Sequence, residues 1–313
     1  MNDAQLVPLG STGLQVVPMG IGTWAWGDRG TWGYGRTHTD ADLQAAFEAS
    51  LAVGINLFDT AEVYGSGQSE RLLGRFISTS QQPVLVATKF LPFPWRLRKQ
   101  NLLDALRASL DRLGLEQVDL YQIHFPFPPV PIETWMDGLA DAVQTGLVRT
   151  VGVSNCSAEQ MRRAHAALAK RGVVLASNQV EYSLLHRNPE RNGLMQTCRE
   201  MSVALIAYSP IRKGLLSGKY TPENRPTGTF RSSLANRDYL ARIQPLITLL
   251  QEIGQTHGGK TPSQVALNWV MCKGALPIPG AKNVRQAQEN AGALGWYLSG
   301  SEILALDAVS DKM

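Results

Sequence analysis

Eight short apolar, β-branched runs recur along the chain with helical patterns between them, and this alternation restricts the fold more than any other feature. The runs are PMGIGTW (18–24), INLFDTA (55–61), VLVATKF (84–90), VDLYQIH (118–124), VRTVGVSN (148–155), LASNQVEY (175–182), VALIAYS (203–209) and ALPIPG (275–280). Among the intervening segments, Leu102, Leu103, Leu106, Leu110 and Leu113 share a helical face, with Gly114 as a stop. Ser157, with Gln160 three residues on, caps a second helix that Gly172 terminates. Strands alternating with helices form parallel βαβ units. Eight such units predict an α/β fold of the (β/α)8 TIM-barrel type rather than an open sheet.

The spacing of the run ends supports this. Polar residues at 59, 89, 124, 154, 179 and 208 are separated by 30, 35, 30, 25 and 29 positions, close to one unit each. The next interval, from 208 to 280, is 72, so an insertion follows strand seven. Residues 211–235, rich in Gly, Pro, Ser and basic side chains, read as a long loop. Upstream, LVPLGSTGLQVV reads as a β-hairpin turning at GSTG. No repeat or linker divides the chain, so residues 1–313 are expected to form a single domain.

Composition excludes several classes. With 44% hydrophobic and 18% charged residues the chain is neither disordered nor collagen-like. The first residues lack the charged and apolar regions of a signal peptide, and no run approaches the ~20 apolar residues of a membrane span. Cys156, Cys198 and Cys272 are scattered and form no CxxC, which fits a reducing, cytoplasmic setting without a membrane role. The five histidines show no metal-ligand spacing, so no metal is expected. The net charge of +4 is spread along the chain without any nucleic-acid-binding motif. A basic pocket for a phosphorylated small molecule accounts for it better than a nucleic-acid partner.

In such a barrel the C-terminal ends of the strands form the active-site face. INLFDTAEVYG ends a core strand on Asp59 and places Glu62 and Tyr64 directly after it. Lys89 ends VLVATK, His124 ends YQIH, and Ser154 and Asn155 end VGVSN. Each has a plainer alternative: a rim aromatic, a solvated lysine, a core histidine. At matching depth around one mouth, however, Asp59, Tyr64, Lys89 and His124 would converge. Glu62 receives no role beyond that of a polar rim residue.

Seven segments occur in register: GINLFDTAEVYGSGQSERLLG, VATKF, DLYQIH, VGVSN, NQVEYS, YSPIRKGLLSGKY and IPGAKNVRQAQEN. Together they resemble the aldo-keto reductase superfamily over nearly the whole chain, in the branch of pyridoxal reductase-like enzymes and potassium-channel β subunits. The resemblance implies an NADPH-dependent reductase of small carbonyl compounds, with no Rossmann domain. It assigns Tyr64 as proton donor, Lys89 as its neighbouring cation, Asp59 as the partner of Lys89, and His124 as a donor to the carbonyl oxygen. A phenol has a pKa of ~10, so a cation beside Tyr64 is expected to bring it towards neutrality.

The same match carries cofactor roles. Ser154, Asn155 and Gln179 would hold the nicotinamide carboxamide, and Tyr208 would stack on the ring. Ser209, Pro210, Ile211, Gly214 and Lys219 would cover the pyrophosphate, with Arg231 beside them. Gly280, Lys282, Gln286, Glu289 and Asn290 would take the adenosine half. For Arg212, Lys213 and Arg285, solvation and phosphate contact are equally expected. Gly280 and Ala281 replace a lysine and a serine of other branches, which shifts the 2′-phosphate contact to Lys282. Trp24, Trp26, Phe90, Trp95, Phe125 and Phe127 cluster at strand ends, and Trp24, Trp95 and Phe125 are the candidates for an aromatic substrate pocket. Two other readings remain. A regulatory partner like the channel β subunits would carry asparagine in place of His124. An aldolase using Lys89 as a Schiff base would not need the cofactor loops.

Overall fold

In the computed structural model, which describes residues 6–226 and 235–313, each of the eight runs contributes a strand to one parallel sheet. The short hairpin comes first, with β1 (Val7–Pro8) antiparallel to β2 (Gln15–Val16). The sheet strands are β3 (Ile21–Gly22), β4 (Leu57–Asp59), β5 (Leu85–Phe90), β6 (Val118–Ile123), β7 (Val148–Ser154), β8 (Leu175–Glu181), β9 (Ala204–Tyr208) and β10 (Leu276–Pro277). They pair in chain order. The first and last also meet: Gly20 and Gly22 donate their N–H groups to the carbonyls of Pro277 and Pro279, both at 3.0 Å. A further bridge joins Gly22 to Gly280, and the sheet is a closed barrel.

Two cores result. Between strands and helices lies a large apolar layer that includes Phe47, Phe58, Phe76, Tyr121 and Trp135. Inside the barrel, Leu57, Ala87, Leu120, Ala176, Ile206, Leu276 and Ile278 pack on Leu9, Leu14 and Val16 of the hairpin, which floors the barrel. Side chains alternate across a strand. Two residues beyond Leu57, Ala87 and Leu120, the same inward face therefore presents Asp59, Lys89 and Gln122, all buried. Alternation thus places a polar layer directly above an apolar one.

Local signals hold where helices dock. The helix Lys99–Leu113 ends at Gly114 in a left-handed conformation (φ 66°), which glycine adopts at little cost. Ser157 and Gln160 form a capping box at the start of the helix Ala158–Ala169. Among the described residues, the interval after β9 holds a 3₁₀ turn (Arg212–Ser217) and the helices Arg237–Thr256 and Pro262–Cys272. Arg231 lies outside the described residues. Among the described residues, no helix is long and apolar enough to cross a membrane.

The helix Gln68–Ser78 follows the turn that carries Tyr64, and two contacts fix it. The fully buried Glu70 accepts hydrogen bonds from Thr88 Oγ1 and Arg112 Nε, both at 2.6 Å. Gly74 meets the backbone of Leu113 so closely that a Cβ there would lie 2.2 Å from the Leu113 carbonyl oxygen. Gly74→Ala should therefore destabilise the fold by ~1–3 kcal/mol through overpacking, although alanine favours helix. Thermal unfolding followed by circular dichroism checks this; an unchanged or raised midpoint would show that the two helices are not in such contact.

Candidate active site

Lys89 Nζ is completely buried, and its three N–H groups have three acceptors. They are Asp59 Oδ1 at 2.5 Å, the carbonyl of Thr60 at 2.9 Å and the hydroxyl of Tyr64 at 3.4 Å. The other oxygen of Asp59 accepts from the amides of Gln179 (2.7 Å) and Gln122 (3.3 Å). Asp59, Tyr64 and Lys89 thus converge as expected, and His124 joins them with its ring edge-on to Tyr64 at a centroid distance of 5.7 Å.

Burial and charge set the protonation states. Burial lowers the Lys89 pKa, but the charge of Asp59 and the contacts with Tyr64 and Asp59 outweigh it, and the net shift is upward. The ammonium is therefore retained at neutral pH. Burial raises the Tyr64 pKa, and the opposing pull of Lys89 does not offset it, so the net direction is also upward. The expected shift towards neutrality is absent, and the tyrosine is a phenol that holds its proton. Burial, and then the charge of Lys89, push the His124 imidazole down to about 3. It is neutral near pH 7 and keeps one N–H to donate.

Above this group opens a cleft of about 670 Å³. Its lining includes Ser154, Asn155, Gln179, Tyr208, Ser209, Pro210, Ile211, Gly214, Lys219, Gly280, Lys282, Gln286, Glu289 and Asn290. Trp24 and Phe125 line it beside Tyr64 and His124. Trp95 does not: it is 72% exposed and stacks on Phe93, with centroids 4.7 Å apart. Lys213 and Arg285 face the cleft, whereas Arg212 is engaged by the carboxylate of Glu181. Ser209, Arg212 and Lys213 adopt left-handed backbone (φ 52°, 49° and 56°), at ~1–2 kcal/mol each for a non-glycine residue. Such strain gathers at ligand-binding loops.

Polar groups are fixed on two sides of the cleft. Asn155 donates to the carbonyl of His124 and to Ser154 Oγ (3.0 Å each) and accepts from the Tyr208 hydroxyl (3.0 Å). Ser154 Oγ donates to the carbonyl of Gln179 at 2.8 Å. Across the cleft, the helix Val284–Ala291 is capped by Asn283, and Gln286 accepts from the backbone N–H of Lys282 at 2.9 Å. A helix N-terminus beside Lys282 and Arg285 suits an anion. The Lys282 ammonium lies 5.7 Å from the centre of the Trp32 ring.

These features match a known group of proteins. The profile of the Aldo/keto reductase family covers residues 18–311. The chain belongs to the aldo/keto reductase family. It is 47% identical over 307 residues to the chloroplastic pyridoxal reductase of Arabidopsis thaliana, spanning 94% of this chain and 83% of that protein. The solved glycerol dehydrogenase of Gluconobacter oxydans is similar with a TM-score of 0.85 at 27% identity, over 98% of this chain and 95% of that one. An aldo/keto reductase of Klebsiella pneumoniae in complex with NADP and acetate gives a TM-score of 0.76 at 27% identity, over 96% and 94% of the two chains. As a member of the aldo/keto reductase family the protein is an oxidoreductase that works with a nicotinamide cofactor.

Several residues of this family member escaped the reading of its sequence. Gln122 and Glu181 stand two residues from His124 and Gln179, so strand alternation could have found them. Trp32, Val63, Ser217 and Ser263 reach the cleft from loops and a helix start with no local signal. Gln179, expected on the cofactor, also spends its amide on Asp59.

The state of His124 has a measurable consequence. Its folded pKa lies near 3 and its unfolded value near 6.5, so the unfolded chain binds more protons between those limits. Stability is complete above pH 6.5 and is lost as the pH falls towards 3. His124→Asn removes that titration, so denaturant unfolding at pH 4.5 relative to pH 7.5 should cost the variant less than the parent. Equal losses would mean that the imidazole is not held neutral.

Proposed function

We propose that the protein reduces aldehydes and ketones to alcohols with NADPH, with Tyr64 delivering the proton to the carbonyl oxygen. The observation that carries this reading is the placement of Tyr64 between the buried Lys89 ammonium and the cleft. Bound NADPH supplies a hydride for the carbonyl carbon. The cleft residues suit that group: polar, hydrogen-bonded side chains at Ser154, Asn155 and Gln179, and basic ones at Lys282, Arg285 and Lys219. His124 orients the carbonyl by donating its N–H to the oxygen. Tyr64 passes its proton to that oxygen as negative charge develops there, and Lys89 stabilises the phenolate left behind. Asp59 keeps Lys89 charged and in place.

Substrate class follows from the other wall. Trp24 and Phe125 flank Tyr64 and His124, with the Lys213 ammonium 5.8 Å from the centre of the Trp24 ring, so a flat aromatic aldehyde would find aromatic faces there. The likeness to a pyridoxal reductase supports pyridoxal as one such substrate. Residues 1–313 act as one unit in this reading. The three cysteines are free, in keeping with a cytoplasmic setting.

Two variants test the reading. Tyr64→Phe keeps the ring and loses the proton, so NADPH oxidation with pyridoxal or another aromatic aldehyde should fall ~10²–10⁴-fold while NADPH still binds. Turnover at the parent rate would rule out Tyr64 as the acid. Lys282→Glu replaces the cation assigned to the 2′-phosphate. Charge-assisted contacts are worth ~1.5–3 kcal/mol, so the Michaelis constant for NADPH should rise about tenfold or more, with little change for NADH. Equal changes for both cofactors would assign Lys282 to loop support instead.

A further inference from the structure

Glu62 stands two residues before Tyr64, yet it is not a rim residue. Its side chain is only 8% exposed, and its carboxylate receives three hydrogen bonds from the chain that leaves β5. Oε1 accepts from the Leu91 N–H at 2.8 Å and from Arg96 Nη1 at 2.5 Å, and Oε2 accepts from Arg96 Nη2 at 3.1 Å. Arg96 Nη1 also donates to the Leu91 carbonyl at 2.9 Å, and the guanidinium lies over the rings of Phe90 and Phe93 at 4.9 and 5.3 Å. The backbone N–H of Glu62 reaches the carbonyl of Lys89 at 3.4 Å. Glu62 therefore ties the turn that presents Tyr64 to the strand end that presents Lys89.

That tie anchors to a neighbouring strand a turn whose own bonds, Tyr64 N–H to the Ala61 carbonyl at 3.1 Å and Ser66 N–H to the Val63 carbonyl at 3.2 Å, close only within the turn. Gly65, Ser66 and Gly67 follow Tyr64 with left-handed φ values of 55°, 56° and 84°. Ser66 is the costly member, since it carries a Cβ. The contact that the turn must deliver, Tyr64 hydroxyl to Lys89 Nζ at 3.4 Å, is the longest of the three made by Lys89 and lies at the edge of hydrogen-bonding range. A few tenths of an ångström more would break it.

We propose that Glu62 and Arg96 are a positioning pair that sets the approach of Tyr64 to Lys89 and thereby the strength of the catalytic acid. The proposal rests on the reading of Tyr64 as proton donor. It gives Glu62 no contact with substrate or cofactor; it acts through the two residues beside it. Arginine is required because only its planar fork can meet both carboxylate oxygens while also reaching the Leu91 carbonyl.

The test compares the parent with Glu62→Gln, Arg96→Lys and Tyr64→Phe. Glutamine retains an acceptor for the Leu91 N–H and removes the ion pair, while lysine keeps the charge and loses the fork. Both should keep the parent affinity for NADPH in fluorescence titration. Both should lose about ten- to a hundredfold in kcat, the penalty for small misplacement of a catalytic group. Loosening the contact with Lys89 also weakens its downward pull on the phenol, so the alkaline limb of the kcat profile should move to higher pH. A merely structural role would lower the melting temperature without moving that limb. If Glu62→Gln and Arg96→Lys keep the parent kcat and the parent limb while Tyr64→Phe is inactive, the positioning role is wrong and the function of Tyr64 stands. If Tyr64→Phe turns over at the parent rate, both fall, since no acid remains to be positioned. Should Glu62→Gln fail to fold, Arg96→Lys decides alone.

Discussion

The ion pair of Lys89 and Asp59 sits inside the barrel, where two charges are costly to place unless every polar atom around them is engaged. Here the engagement is nearly complete. The ammonium has three oxygen acceptors, and the carboxylate holds Lys89 on one oxygen and two glutamine amides on the other. Four strands contribute to the arrangement: β4 supplies Asp59, β5 Lys89, β6 Gln122 and β8 Gln179. Satisfying one pair thus constrains the register of much of the barrel. A slip of one residue in any of these strands would turn its polar residue outward.

The sequence was legible where function coincides with a strong local pattern. Asp59, Lys89, His124 and Ser154 end apolar runs spaced by one βα unit, so topology alone brings them to one mouth. The hairpin, the barrel and the caps at Gly114 and Ser157 follow from alternation and turn chemistry in the same way. Gln122 and Glu181 lie on inward faces that the same alternation defines, but neither ends an apolar run, which is the signal that marks Asp59 and Lys89. Trp32 was beyond reach, because its place beside Lys282 depends on how two distant loops meet. Trp95 illustrates the opposite failure. It follows a strand end in the chain, yet the loop presents it to solvent on Phe93, and nothing in the local sequence fixes that direction.

Electrostatics divide the cleft. Its inner wall is formed by groups that are neutral near pH 7, the Tyr64 phenol and the His124 imidazole, backed by one compensated ion pair. The rest of the lining sets Lys213, Lys219, Lys282 and Arg285 against Glu181 and Glu289, with Lys213 over the Trp24 ring at 5.8 Å and Lys282 over the Trp32 ring at 5.7 Å. Cations outnumber carboxylates in that lining, which favours a ligand carrying negative charge. A single cleft can then orient a molecule by polarity before any close contact forms.

The hairpin beneath the barrel has an effect on proton traffic. Leu9, Leu14 and Val16 and the apolar layer above them pack the floor below Lys89 with side chains that carry no exchangeable proton. The ammonium itself has spent its hydrogens on Asp59, Thr60 and Tyr64. Under the proposed reading, Tyr64 lines the cleft, so the proton that replaces the one it gives up can enter through the same opening that admits the substrate. Uptake by that path would make recharging of the acid share one opening with departure of the alcohol.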